Sequence, residues 1–171
     1  MEKRNIPIKN YFVLSILVMV TIILTFYFVS WYNASKEYRK ENSVIAGVLS
    51  KIKIEEITNY VLDNPNVVIY MSSGSDAEVK EFENKFKKFI LKHEISDDIV
   101  YLDTNTVING DYSVLLALFH DDLAARNVNL VNKANILIVR DSKIIDILYK
   151  DEQKINESDM NQFLEMYEVL E

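Results

Sequence analysis

The chain of 171 residues contains no cysteine. Thiol–disulfide exchange starts with a thiolate attacking a disulfide sulfur, so that chemistry is excluded, and serine cannot stand in for it. A lipid anchor on cysteine is excluded too. Glycine is scarce, with three residues in all, and only Gly74 lies near a strand-to-helix junction. One glycine is far short of a Gly-rich phosphate cradle, and Glu78 beside it would repel the anion. Histidine is limited to His93 and His120, both in predicted helices remote from that junction. A serine nucleophile there would lack a nearby base. A basic excess is also missing: residues 33–171 carry 16 Lys and Arg against 25 Asp and Glu. That balance disfavours nucleic acid and flat docking on anionic lipid.

Long apolar sequence is present, at one end only. No charge occurs from Asn10 to Ser35. Residues 11–32 supply the roughly 20 apolar positions that a bilayer core needs as helix. Tyr11 and Phe12 stand at one end, and Tyr27, Phe28, Trp31 and Tyr32 at the other, where rings suit the headgroup level. A cleaved signal peptide would have a shorter apolar core of about 7–15 residues and a small-residue cut site. An uncleaved single-pass span is therefore expected, after a short tail over 1–10. Lys3, Arg4 and Lys9 precede it and Lys36, Arg39 and Lys40 follow, so the positive-inside bias is small. The favoured orientation puts the short tail inside and the large domain outside the cytoplasm. Residues 33–50 contain good helix formers, with Tyr38, Ile45, Val48 and Leu49 near one face. They read as a juxtamembrane helix or linker that packs on the next domain, or as a dimer-forming stalk.

Residues 51–171 form the remaining domain. "KIKI" alternates as a short strand, and "EEITNYVLD" follows as a helix stopped by "NPN". "VVIYM" is an apolar, β-branched run of the kind buried on both faces of a sheet. Ser75 and Glu78 fit the S-x-x-E capping box of the next helix. Its apolar face is Val79, Phe82, Phe86, Phe89 and Ile90. "IVYLD" is a third strand, and Asn109-Gly110-Asp111 a turn. Tyr112, Leu115, Leu116, Phe119 and Leu123 predict one further helix. "NILIVR" and "KIIDILY" flank Asp141-Ser142 as a hairpin. A last helix is capped by Asn156 or Ser158. The order β-α-β-α-β-α-β-β-α predicts an α/β fold. Its mixed sheet has helices on both faces, parallel pairing at the front and an antiparallel hairpin at the end.

Over residues 51–171 this order resembles the thioredoxin fold. "NPNVVIYM" before a turn and helix is similar to the strand that precedes the CxxC motif. "IVYLD" is similar to the strand that ends in aspartate, and "ANILIVRDSKIIDI" to the segment that starts at the cis-proline and turns through a glycine hairpin. Under the resemblance, Ala134 stands at the proline position and Ser142 at the turn glycine. The two cysteines fall on Ser75-Asp76-Ala77-Glu78 or on Ser72-Ser73-Gly74-Ser75, and neither register has sulfur. The chain resembles the membrane-anchored bacterial thioredoxin-like proteins, a loose group that includes bacteriocin-accessory types.

The expected function is a non-redox binding or assembly module of the cell envelope, with a protein partner and no nucleic acid. A homodimer is an open alternative. Candidate binding residues are Ser73, Gly74, Ser75 and Asp76, with Ala134 and Asn135 brought alongside by the fold. No catalytic residue, cofactor or metal ligand is assigned. His120-Asp121-Asp122 lacks the i, i+4 geometry of a helical metal pair, and Asp97, Asp98 and Asp103 lack calcium-loop spacing. Two alternatives stand beside this reading: a non-redox enzyme using Asp or Glu near the same turn, and a purely structural dimerising anchor.

Overall fold

The structure is a computed structural model. It describes residues 8–41, 43–74, 77–105, 107, 110–126, 128, 130, 134–149 and 155–170. The chain divides into two compact units, Met1–Lys40 and Glu41–Glu171.

The first unit is built on the long helix α1 (Ile8–Glu41). Its stretch Ile8–Ser35 is long and apolar enough to cross a membrane by length and composition. At 1.5 Å per residue it rises about 40 Å, against an apolar bilayer core of about 30 Å. Two threonine hydroxyls inside it are satisfied locally. Thr21 Oγ1 donates to Leu17 O and Thr25 Oγ1 to Thr21 O, each at 2.8 Å, which lets a hydroxyl sit in an apolar medium. The first unit is thus a single apolar helix of the kind that serves as a membrane segment or a signal sequence.

The second unit is an α/β fold around one mixed sheet. Its strands are β1 (Ser50–Ile52), β2 (Val67–Ser72), β3 (Ile99–Asp103), β4 (Asn135–Arg140) and β5 (Lys143–Leu148), in spatial order β1-β3-β2-β4-β5. β3 pairs parallel with β1 and with β2, while β4 pairs antiparallel with β2 and with β5. This order is compatible with a thioredoxin-like fold. The short helices α2 (Ile57–Asp63), α4 (Ser113–Leu116) and α5 (Asp121–Ala124) cover one face. They pack on Ile69, Met71, Val100, Leu102, Leu137 and Val139. Helices α3 (Ala77–His93) and α6 (Glu157–Met166) cover the other face over Val68, Tyr70, Ile99, Tyr101, Ile136 and Ile138. The alternation of these two sets along β2, β3 and β4 is the period-two pattern of a strand with both faces buried.

The hairpin forms without a glycine. Asp141 and Ser142 hold φ of 51° and 60°, the left-handed pair that matches strand twist. Tertiary bonds hold Ser142 there: its Oγ donates to Val61 O at 2.8 Å and its N–H to Pro65 O at 3.0 Å. Asn156, not Ser158, caps α6. Its side chain accepts from Asp159 N–H, and Asp159 accepts from the Asn156 N–H, both at 2.9 Å.

One expectation fails. The single helix over Tyr112–Leu123 is two short ones, α4 and α5, because residues 118–120 lie along the open edge of β5. Ile144 N–H donates to Leu118 O and His120 N–H to Ile144 O, at 2.8 and 2.9 Å. Covering an exposed strand edge takes the His120 amide and the Leu118 carbonyl out of the helix ladder. Residues 33–50, expected as a juxtamembrane helix or linker, hold the end of α1 and a separate turn. α1 runs to Glu41, and Ile45–Gly47 form a separate 3-10 turn. Between them the amides of Val44 and Ile45 bond to side chains instead of to carbonyls one turn back.

Candidate functional site

Antiparallel pairing of β2 with β4 places Met71 opposite Asn135. The chain leaves β2 through Ser73 and Gly74 and enters β4 from Ala134. These residues therefore come to the same end of the sheet. Ser73 and Ala134 are half-buried, and Gly74 and Asn135 are buried. Ser75 and Asp76 lie outside the described residues. Gly74 holds φ +43°, and a Cβ built on it would lie 2.7–2.8 Å from Ser43 Cβ, Cα and N. Glycine is needed there twice over, for its backbone angle and for the close approach of another segment.

That other segment begins at Ser43, just past the end of α1. It is fastened by a buried acid of α3. Glu83 is fully buried. Its Oε1 accepts from Ser43 Oγ at 2.6 Å, from Ser72 Oγ at 2.7 Å and from Tyr70 OH at 3.2 Å. Its Oε2 accepts from the Val44 N–H at 2.6 Å. Ser43 Oγ in turn accepts from the Ile45 N–H at 3.2 Å. Among the described residues no Lys, Arg or His forms an ion pair with Glu83. Four donors satisfy the carboxyl oxygens in place of water.

The surrounding tyrosines respond to this cluster. Burial, then the charge of Glu83, pushes the Tyr70 hydroxyl well above the ordinary tyrosine range. Burial also raises Tyr101, while its contacts with the Ser43 and Ser72 hydroxyls pull the other way. Tyr101 OH donates to Ser72 O at 3.3 Å, and its ring stacks on Tyr70 with centroids 5.9 Å apart. Beyond the polar contacts, Ile45 is fully buried and Leu49 is 4% exposed, both in the core beneath α3 and α6. Residues 43–49 thus form a strap over the sheet end where Ser73, Gly74 and Asn135 meet.

Glu83 was not among the sequence-derived candidates, yet the signal was present. Val79, Glu83, Phe86 and Ile90 step by four, three and four, so an acid occupies an inward position of a helix otherwise apolar on that face. The other polar candidates are dispersed. His120 is exposed and caps α5, accepting weakly from Asp122 N–H at 3.4 Å, rather than standing inside a helix. His93 closes α3 and lies against the Phe89 ring, with centroids 4.5 Å apart. Asp103 pairs with Lys51 across the β1–β3 edge and accepts from Asn105 N–H. Asp97 and Asp98 line a solvated cleft of about 640 Å³ at the opposite end of the sheet. Arg140 there is engaged with the carbonyls of Val139 and Tyr167. Among the described residues no group of three or more His, Asp or Glu side chains is arranged to hold a metal ion.

Compared with protein-family models and with curated proteins, the chain matches none of them.

Proposed function

We propose that this chain is a single-pass, membrane-anchored, non-redox thioredoxin-like module of the bacterial cell envelope that binds a protein partner. The short tail would lie inside and the α/β domain outside. The observation that carries the reading is the register of β2 against β4. It gathers Ser73, Gly74, Ala134 and Asn135 at the sheet end where a thioredoxin holds its cysteines and substrate. Without sulfur that end has no route to disulfide exchange, so contact with another chain is the use that remains natural to it. The apolar helix α1 supports anchoring by its length and composition. The enzymatic alternative is less well supported. Glu83, a carboxyl packed under the end of β2, is closed to solvent and accepts from four protein donors, so it is not presented to a substrate.

Photo-crosslinking of the full chain in its native membranes tests this. A photoreactive residue at Ser73 should give a discrete adduct that the same residue at exposed Thr58 on α2 does not. Identical patterns at the two positions would refute the reading.

A further inference from the structure

We propose that residues 43–49 are an intramolecular ligand of the sheet end that follows β2, so that the site is a peptide groove seen with its own chain, wound as a short 3-10 turn, inside it. This deepens the binding function proposed above and rests on it. The contacts are those of a bound peptide rather than of a packed loop. A serine hydroxyl and the next backbone N–H both reach one carboxyl, Glu83, at 2.6 Å. The backbone at Ser43 lies against a glycine with no room for a side chain between them. Two residues further on, the Ile45 side chain fills an apolar pocket and is fully buried. Among the described residues this segment adds no strand to the sheet; β1 begins only at Ser50.

The occupant defines what the groove accepts. Only a small hydroxyl side chain fits between Gly74 and Glu83 while donating to the carboxyl. The following residue must carry a backbone N–H, which excludes proline. An aliphatic side chain must follow in the next position. A partner segment with this pattern would compete with the strap directly. Within one chain the strap acts at an effective concentration on the order of millimolar, so the groove is closed until the strap is weakened or a stronger segment displaces it. The strap is thus an autoinhibitory contact, and its release is the step that regulates access to Ser73 and Gly74.

The test uses the full chain in detergent micelles and a labelled peptide of residues 41–50, ENSVIAGVLS, as the probe. Two variants loosen the strap. Ser43→Ala removes the hydroxyl. Val44→Pro removes the amide donor at a residue whose φ is already −66°, the value proline imposes. Hydrogen exchange at Ile45 should quicken by at least about tenfold in both variants, the ratio expected for one lost bond to a charged group. The amides of β2, β3 and β4 should be unchanged. The loosened variants should bind the peptide and the wild type should not, and the alanine peptide ENAVIAGVLS should bind at least about tenfold more weakly.

Exchange that rises throughout the domain in both variants would make the strap an integral part of the core and overturn the proposal. So would a locally released strap that admits no peptide. Peptide binding with no Ser73 adduct in native membranes would leave the groove standing and remove the proposed partner. An adduct without peptide binding would do the reverse.

Discussion

Replacing Glu83 with glutamine keeps its shape and changes one atom. The carboxyl accepts four bonds, three on Oε1 and one on Oε2. Glutamine offers one acceptor oxygen and an NH2 group. With the NH2 group toward Val44, two donors face each other across 2.6 Å. With it toward the hydroxyls, Ser43, Tyr70 and Ser72 must turn round to accept, although Ser43 Oγ already accepts from Ile45. Either arrangement forfeits at least one bond to a charged group, so the cost is about 2 kcal/mol, within the range of about 1–3 for a buried polar group losing its partner. For a domain of this size that corresponds to a fall in Tm of about 5–10 °C. Guanidinium unfolding of the full chain in micelles, followed by the near-UV dichroism of its tyrosines, reads the loss. Adding Ser43→Ala should cost less in the glutamine background than in the wild type, by about 0.5–3 kcal/mol of coupling. A loss under about 0.5 kcal/mol, the level of an ordinary surface change, would refute the cluster. Strict additivity with Ser43→Ala would also refute it.

Alkaline titration bears on the same cluster. Tyr70 and Tyr101 hold their protons above the ordinary range, chiefly through burial. Tyr167, whose hydroxyl donates to Asp146 at 2.6 Å, is raised to about 12, with burial again the first cause. A raised phenol contributes its full stability below the unfolded value near 10, and loses it as pH climbs toward the folded value. Unfolding free energy should therefore hold up to about pH 10 and then fall by up to about 1.4 kcal/mol per pH unit for each of Tyr70 and Tyr101. Tyrosinate absorbance should show late-titrating residues; ionisation of every tyrosine near pH 10 with the fold intact would contradict this. Phe86→Ala should cost about 3–5 kcal/mol in the same guanidinium assay, since the ring is fully buried and sits 5.0 Å from Tyr70 and 5.5 Å from Phe82. Ser142→Val forces a β-branched residue to φ 60° and removes the bond to Val61 O. It should cost about 2–3 kcal/mol, and a neutral result would mean that the turn relaxes.

The sheet was legible because each strand is a short β-branched run between turn residues, and α3 because its phenylalanines recur at helical spacing. The hairpin was legible as a place but not as a mechanism. The bonds that hold Ser142 in a left-handed conformation come from Val61 and Pro65, far away in the chain. Residues 112–123 carry a helical apolar pattern that survives in the fold as burial of Tyr112, Leu115, Phe119 and Leu123. Their backbone nevertheless departs from the helix at 118–120. The free edge of β5 competes for the His120 amide and the Leu118 carbonyl, and no local pattern reports a competitor that is remote in sequence. Residues 43–49 show the same competition. Their spacing suits a helix, but Glu83 draws the Val44 amide out of it. Strand β2 ends at Ser72, directly before the candidate residues Ser73 and Gly74. What covers them depended on one acid among phenylalanines.

The hydrogen bond from the Val44 amide to Glu83 is the most direct measure of whether the strap closes that end of the sheet. In the NMR spectrum of the full chain in micelles, this amide should lie well downfield, resist exchange, and lose both properties in Glu83→Gln. An amide at an unstructured shift that exchanges freely with solvent in the wild type would contradict the account.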